Sequence, residues 1–78
     1  MSEQHDNTET LVRMANQIAA AMRHQPEEQA VAGIAEHIDQ FWTRAMRERI
    51  FHLLDAGGDG LTPLAARALQ LVRRKRAA

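Results

Sequence analysis

Apolar residues at helical spacing, cut by a few strong chain terminators, restrict this sequence to short helices. Leu11, Ala15, Ile18 and Met22 follow at steps of four, three and four, and Met14 and Ala19 widen the same stripe. Pro26 cannot continue that helix but suits the first turn of another, where Glu27 and Glu28 face the positive end of the dipole. Val31, Ile34, Ala35 and Ile38 repeat the spacing until Phe41 and Trp42 break it. Thr43 is placed to cap a third helix with Met46, Ile50, Leu53 and Leu54 as its apolar face and Arg44, Arg47, Glu48 and Arg49 outside it. Gly57, Gly58 and Gly60 supply the positive φ angles that end a helix. Thr62 and Pro63 then read as cap and first position of a fourth helix carrying Leu64, Ala65, Ala68, Leu69 and Val72. At the start, Asp6 precedes Glu9 by three residues, the spacing of a cap and its reciprocal partner.

No segment alternates with a period of two, and no internal repeat is present. The expectation is an all-α fold, a compact bundle of about four short helices. Residues 1–7 are expected to be a flexible N-terminus, 8–72 a single helical domain and 73–78 a basic C-terminal tail. Short connections favour antiparallel or steeply crossed neighbours. A chain of 78 residues without cysteine has no disulfide or thiolate metal site to staple a small core. Many of its stripe positions are alanine, so helices can approach closely while burying little volume each.

The ten basic and ten acidic residues cancel, leaving no overall field toward nucleic acid or anionic lipid. No apolar run approaches the roughly 18 residues a membrane span needs, and the opening MSEQHDNTE has no signal-peptide hydrophobic region. A soluble, cytoplasmic protein is the expectation. Active-site chemistry finds no footing. Ser2 is the only serine, Cys and Tyr are absent, and no two of His5, His24, His37 and His52 share the i, i+4 spacing of a zinc helix. The stretch from Asp55 to Gly60 resembles a calcium loop but places Gly57 and Ala66 where ligands three and twelve belong, so it reads as a turn. The glycines follow no strand, which leaves no phosphate loop. No catalytic residue, metal ligand or cofactor-binding residue is expected.

Two surface features remain. Arg73, Arg74, Lys75 and Arg76 form a basic end that could meet phosphates, yet no aromatic residue is interleaved with them, and cations also suit a helix C-terminus. Phe41, Trp42, Met46 and Arg47 gather the residue types enriched in interface anchors, and Trp42 is the only Trp. Phe41 and Trp42 are adjacent and point apart, so one can fill the bundle while the other reaches its rim, and core and interface stay equally open for Trp42. His37 precedes Phe41 by one helical turn. Arg13 and Asn16, on one helical face beside the first stripe, are polar candidates for partner contact.

Four blocks, from Leu11 to Ala19, Ile34 to Ile38 with Phe41-Trp42, Met46-Arg47, and Gly57 to Leu64, resemble the delta subunit of bacterial NAD-dependent formate dehydrogenase from about Thr10 to Leu71. That family often continues after Phe-Trp with one residue and Pro-Arg-Met-Arg, whereas Arg44 and Ala45 precede Met46 and Arg47 here, so the helix start falls to Thr43. The resemblance implies a cytoplasmic complex whose larger subunits oxidise formate at a molybdenum pterin and pass electrons through iron–sulfur clusters and FMN to NAD. The delta subunit would carry none of these cofactors and would dock on the larger subunits to support assembly, cofactor insertion or stability. Partner contact is expected at Arg13, Asn16, Phe41, Trp42, Met46 and Arg47. The alternatives are a small nucleic-acid-binding regulator using the basic end and a helical homodimer that hides its apolar remainder against itself.

Overall fold

Asn7, at the threshold of the first helix, already shows how the sequence starts its elements. Its Oδ1 accepts a hydrogen bond from the Glu9 amide at 2.7 Å, satisfying one of the orphan donors of a helix start. In the computed structural model, which describes residues 7–77, four helices follow: α1 (Thr8–Met22), α2 (Glu27–Phe41), α3 (Arg44–Asp55) and α4 (Pro63–Ala77). The cap expected from Asp6 lies outside the described residues, and Asn7 performs that role. Pro26 is the N-cap of α2, not its first helical residue. Its ψ of 145° is extended while its carbonyl accepts from the Ala30 amide at 2.9 Å.

The other boundaries follow the expected chemistry. Thr43 Oγ1 accepts from the Met46 amide and Thr62 Oγ1 from the Ala65 amide, each at 3.2 Å. At the end of α3 the Gly58 amide bonds the Leu53 carbonyl and the Gly57 amide the Leu54 carbonyl, the paired bonds of a Schellman ending. Gly57 and Gly58 hold φ angles of 118° and 72°, which side-chain-bearing residues adopt only with strain.

The core combines branched side chains with alanines and Trp42. Leu11, Ile34, Ile38, Ile50, Leu69 and Val72 are its largest fully buried members, and Ala15, Ala19, Ala30, Ala35, Ala65 and Ala68 fill the spaces between helices. Such small residues let backbones come close. A Cβ added at Gly33 of α2 would stand 2.9 Å from Met22 Sδ of α1.

The principal helix pair is α2 with α4, which are not neighbours in sequence. Glu27 and Arg67 pair near the starts of these helices, and Asp39 and Arg76 pair near their ends, so α2 and α4 run side by side in one direction. Between them α3, about 18 Å long at 1.5 Å per residue, carries the chain back. The basic residues continue α4 as far as Ala77 instead of forming the separate tail expected from Arg73 onward. Arg73 pairs with Asp55 and lies 5.8 Å from the centre of the Phe51 ring. Arg76 pairs with Asp39 at 2.6 Å. These partners, together with the negative end of the helix dipole, hold the last turns in place.

Thr43→Ala and Thr62→Ala are each expected to lower stability by about 1 kcal/mol through loss of a cap, and Leu69→Ala by about 2–5 kcal/mol through a core cavity. Urea unfolding checks this ranking. Equal losses at all three positions would contradict it.

Candidate functional site

The corner where α2 turns into α3 brings together four of the six residues expected to meet a partner, and it sorts them into two groups. Phe41 closes α2, and Trp42 caps it in an extended conformation, with its amide on the Ile38 carbonyl at 2.9 Å. That change of backbone direction sends two consecutive aromatic side chains opposite ways. Trp42 is 4% exposed and belongs to the core, while Phe41 is 68% exposed. The open choice at Trp42 is thereby decided for the core. Phe41 is the exposed large apolar side chain among the described residues. The His37 ring, one turn earlier, lies against its flank with centroids 4.7 Å apart.

Arg47 departs from expectation. Periodicity places it outside the apolar face of α3, yet it is only 9% exposed. Its Nη1 donates to the Trp42 carbonyl at 2.7 Å. That carbonyl stands just beyond α2, where no further helical turn can satisfy it, and a guanidinium meets it with a charge-assisted bond favoured by the negative helix end. Met46, half-buried, packs against the same core, while its amide is held by Thr43.

Asn16 and Arg13 stand apart from this corner. Asn16 Nδ2 donates to the Gly60 carbonyl at 2.9 Å, and its Oδ1 accepts from the Thr62 amide at 3.0 Å. One side-chain amide thus brackets Leu61 and fixes the loop that launches α4. The polar contact expected of Asn16 toward a partner is directed within the chain. Arg13 is exposed, and no hydrogen bond or ion pair engages it among the described residues.

Sequence reasoning overlooked the acids that receive α4. Asp39, Asp55 and Glu27 accept Arg76, Arg73 and Arg67. The acids and their arginines are 18 to 40 residues apart, beyond any local pattern. With two of its four cations paired in this way, the basic end presents less free charge than its sequence suggests. Exposed pairs of this kind contribute about 0–1 kcal/mol each, so their main effect is to set register. Among the described residues no group of three or more His, Asp or Glu side chains could hold a metal ion, and no helix is long and apolar enough to cross a membrane.

A family model described as NADH-dependant formate dehydrogenase delta subunit FdsD matches residues 10–69. No curated protein and no solved structure matches the chain. The matched span contains α1 from Thr10 onward, all of α2 and α3, the corner residues and the Asn16-bracketed loop.

Trp42→Ala is expected to cost about 3–5 kcal/mol, comparable with the whole stability of a small domain. Circular dichroism should show the cooperative thermal transition lost in that variant and kept in Trp42→Phe. A Trp42→Ala protein melting within a few degrees of wild type would remove Trp42 from the core.

Proposed function

The chain belongs to the delta-subunit family of NADH-dependent formate dehydrogenase, and from that membership we propose that it is a non-catalytic accessory subunit that docks on the larger subunits through the α2–α3 corner. Its role is to support assembly, cofactor insertion or stability of the cytoplasmic complex. The observation that carries the docking surface is the exposure of Phe41 beside a buried Trp42. A folded chain this small gains stability by hiding a large aromatic ring, so an exposed one at a fixed corner fits contact with another protein. Trp42, Met46 and Arg47 act there as the support that holds Phe41 outward. Arg13 supplies a separate polar contact.

The non-catalytic reading rests on residue supply. The sequence has no cysteine for an iron–sulfur cluster, no nucleophile paired with a base and no strand-borne phosphate loop. The electron-transfer groups accordingly belong to the larger subunits. A nucleic-acid role is less well supported, because Arg73 and Arg76 are occupied by Asp55 and Asp39.

Phe41→Ser tests the docking surface directly. With tagged protein from cells grown on molybdate and formate, recovery of the larger subunits and of formate-dependent NAD reduction should fall about tenfold, the loss of roughly 1.4 kcal/mol at an anchor. The melting temperature of the isolated chain should stay unchanged or rise slightly. Undiminished capture by Phe41→Ser would reject the corner as the docking surface.

A further inference from the structure

Beside the corner, between α3 and the last turns of α4, lies a cleft walled by Arg44, Arg47, Arg73 and Arg76 with Phe51 and Glu48. Three of the four guanidinium groups have an acidic partner: Glu48 for Arg44, Asp55 for Arg73 and Asp39 for Arg76. Arg47 has none among the described residues, although it is the most buried of the four. Its single hydrogen bond, from Nη1 to the Trp42 carbonyl, leaves most of its five N–H donors unused. No fully buried side-chain nitrogen in the described residues lacks a partner, so the free donors of Arg47 open onto the cleft. A guanidinium largely withdrawn from water and without a counter-ion keeps part of the cost of desolvating a charge. A planar carboxylate placed against the fork of a guanidinium removes that cost with two parallel, charge-assisted bonds.

We propose that this cleft is a carboxylate pocket in which Arg47 receives one Asp or Glu side chain of the larger subunit, an inference that rests on the docking function proposed above. The charge balance selects the ligand. One uncompensated cation matches one monoanion, whereas a phosphate dianion would lie beside Glu48 of the cleft wall with a single free positive charge against it, Arg73 and Arg76 being already neutralised by Asp55 and Asp39. Position selects the source. Arg44 and Arg47 of the cleft wall stand in the first turn of α3, directly after Phe41 and Trp42 in the chain, so the cleft adjoins the proposed docking corner. The exposed aromatic supplies contact area, and the adjoining buried charge supplies direction.

Two experiments on the full chain separate the pocket from the docking reading. In the first, the side-chain Nε–Hε resonances of Arg47 and Arg13 are followed by NMR while sodium acetate, sodium phosphate or sodium chloride is added at matched ionic strength. Acetate should shift Arg47 saturably and leave Arg13 on the chloride line. Equal shifts at both arginines, or a larger Arg47 response to phosphate, would overturn the carboxylate pocket whatever the chain docks on. In the second, larger-subunit capture is compared for wild type, R44E and F41S. Arg44 is 85% exposed at the cleft rim, so R44E keeps the fold, as an unchanged melting curve should show, and reverses the local charge. About a tenfold loss of capture by R44E is expected. Capture unaffected by R44E but reduced by F41S would overturn the partner-carboxylate pocket and leave docking standing. Failure of the wild-type chain to capture the larger subunits would overturn both.

Discussion

The bond from Arg47 to the Trp42 carbonyl is the interaction on which the rest of the molecule's surface depends. It joins the end of α2 to the first turn of α3, and the short connection leaves the chain little freedom to turn in any other way. Because the carbonyl is met from inside, Trp42 can sit in the core with an extended backbone. Because Trp42 turns in, Phe41 must turn out. A buried charge-assisted hydrogen bond contributes about 1.5–3 kcal/mol net, a substantial share in a domain where six of the fifteen buried hydrophobic residues are alanine. The same arginine, too deep to join the surface ion pairs, leaves the adjoining cleft with an unspent charge. One residue thus links folding, the outward aromatic and the chemistry of the cleft.

The remaining architecture follows from having little side-chain volume to bury. Alanine-lined helices must lie close to gain from packing, and close helices need something to choose among alternative registers. The arginines of α4 do this. Arg67 and Arg76 mark the two ends of α2 through Glu27 and Asp39, and Arg73 ties α4 to the end of α3 through Asp55. Each pair is weak alone, yet the three fall on different elements and lengths, and a shifted register would break them together. Asn16 complements them at the start of α4 by fixing the loop before that helix to α1.

What the sequence made legible was local. Thr43 and Thr62 were readable as caps because each precedes a helical apolar pattern by a fixed offset, and Gly57 and Gly58 because a helix end calls for positive φ. The opposite directions of Phe41 and Trp42 were readable from adjacency alone, although which one turned inward was not. Arg47 was misplaced because helical periodicity ranks a charged side chain as outward. The group that draws it inward is the backbone carbonyl of Trp42, just beyond the end of α2, which carries no sequence signature. Asn16 shows the same limit, since its partners lie 44 and 46 residues away. The parallel pairing of α2 and α4 likewise appears only when acids and arginines far apart in the chain are brought together. The departure after Trp42 from the family pattern was legible in its consequence, for without the proline Thr43 starts α3 by side-chain capping.

We propose the α2–α3 corner as the face the chain presents to the larger subunits of formate dehydrogenase. Its most direct test is photo-crosslinking in the assembled complex, with a benzophenone side chain placed at position 41 or, separately, at position 28 near the opposite end of α2. Crosslinks to a larger subunit from position 41, with few or none from position 28, are the predicted result. Crosslinks from position 28 in their absence from position 41 would place the interface at the other end of the bundle and contradict the account.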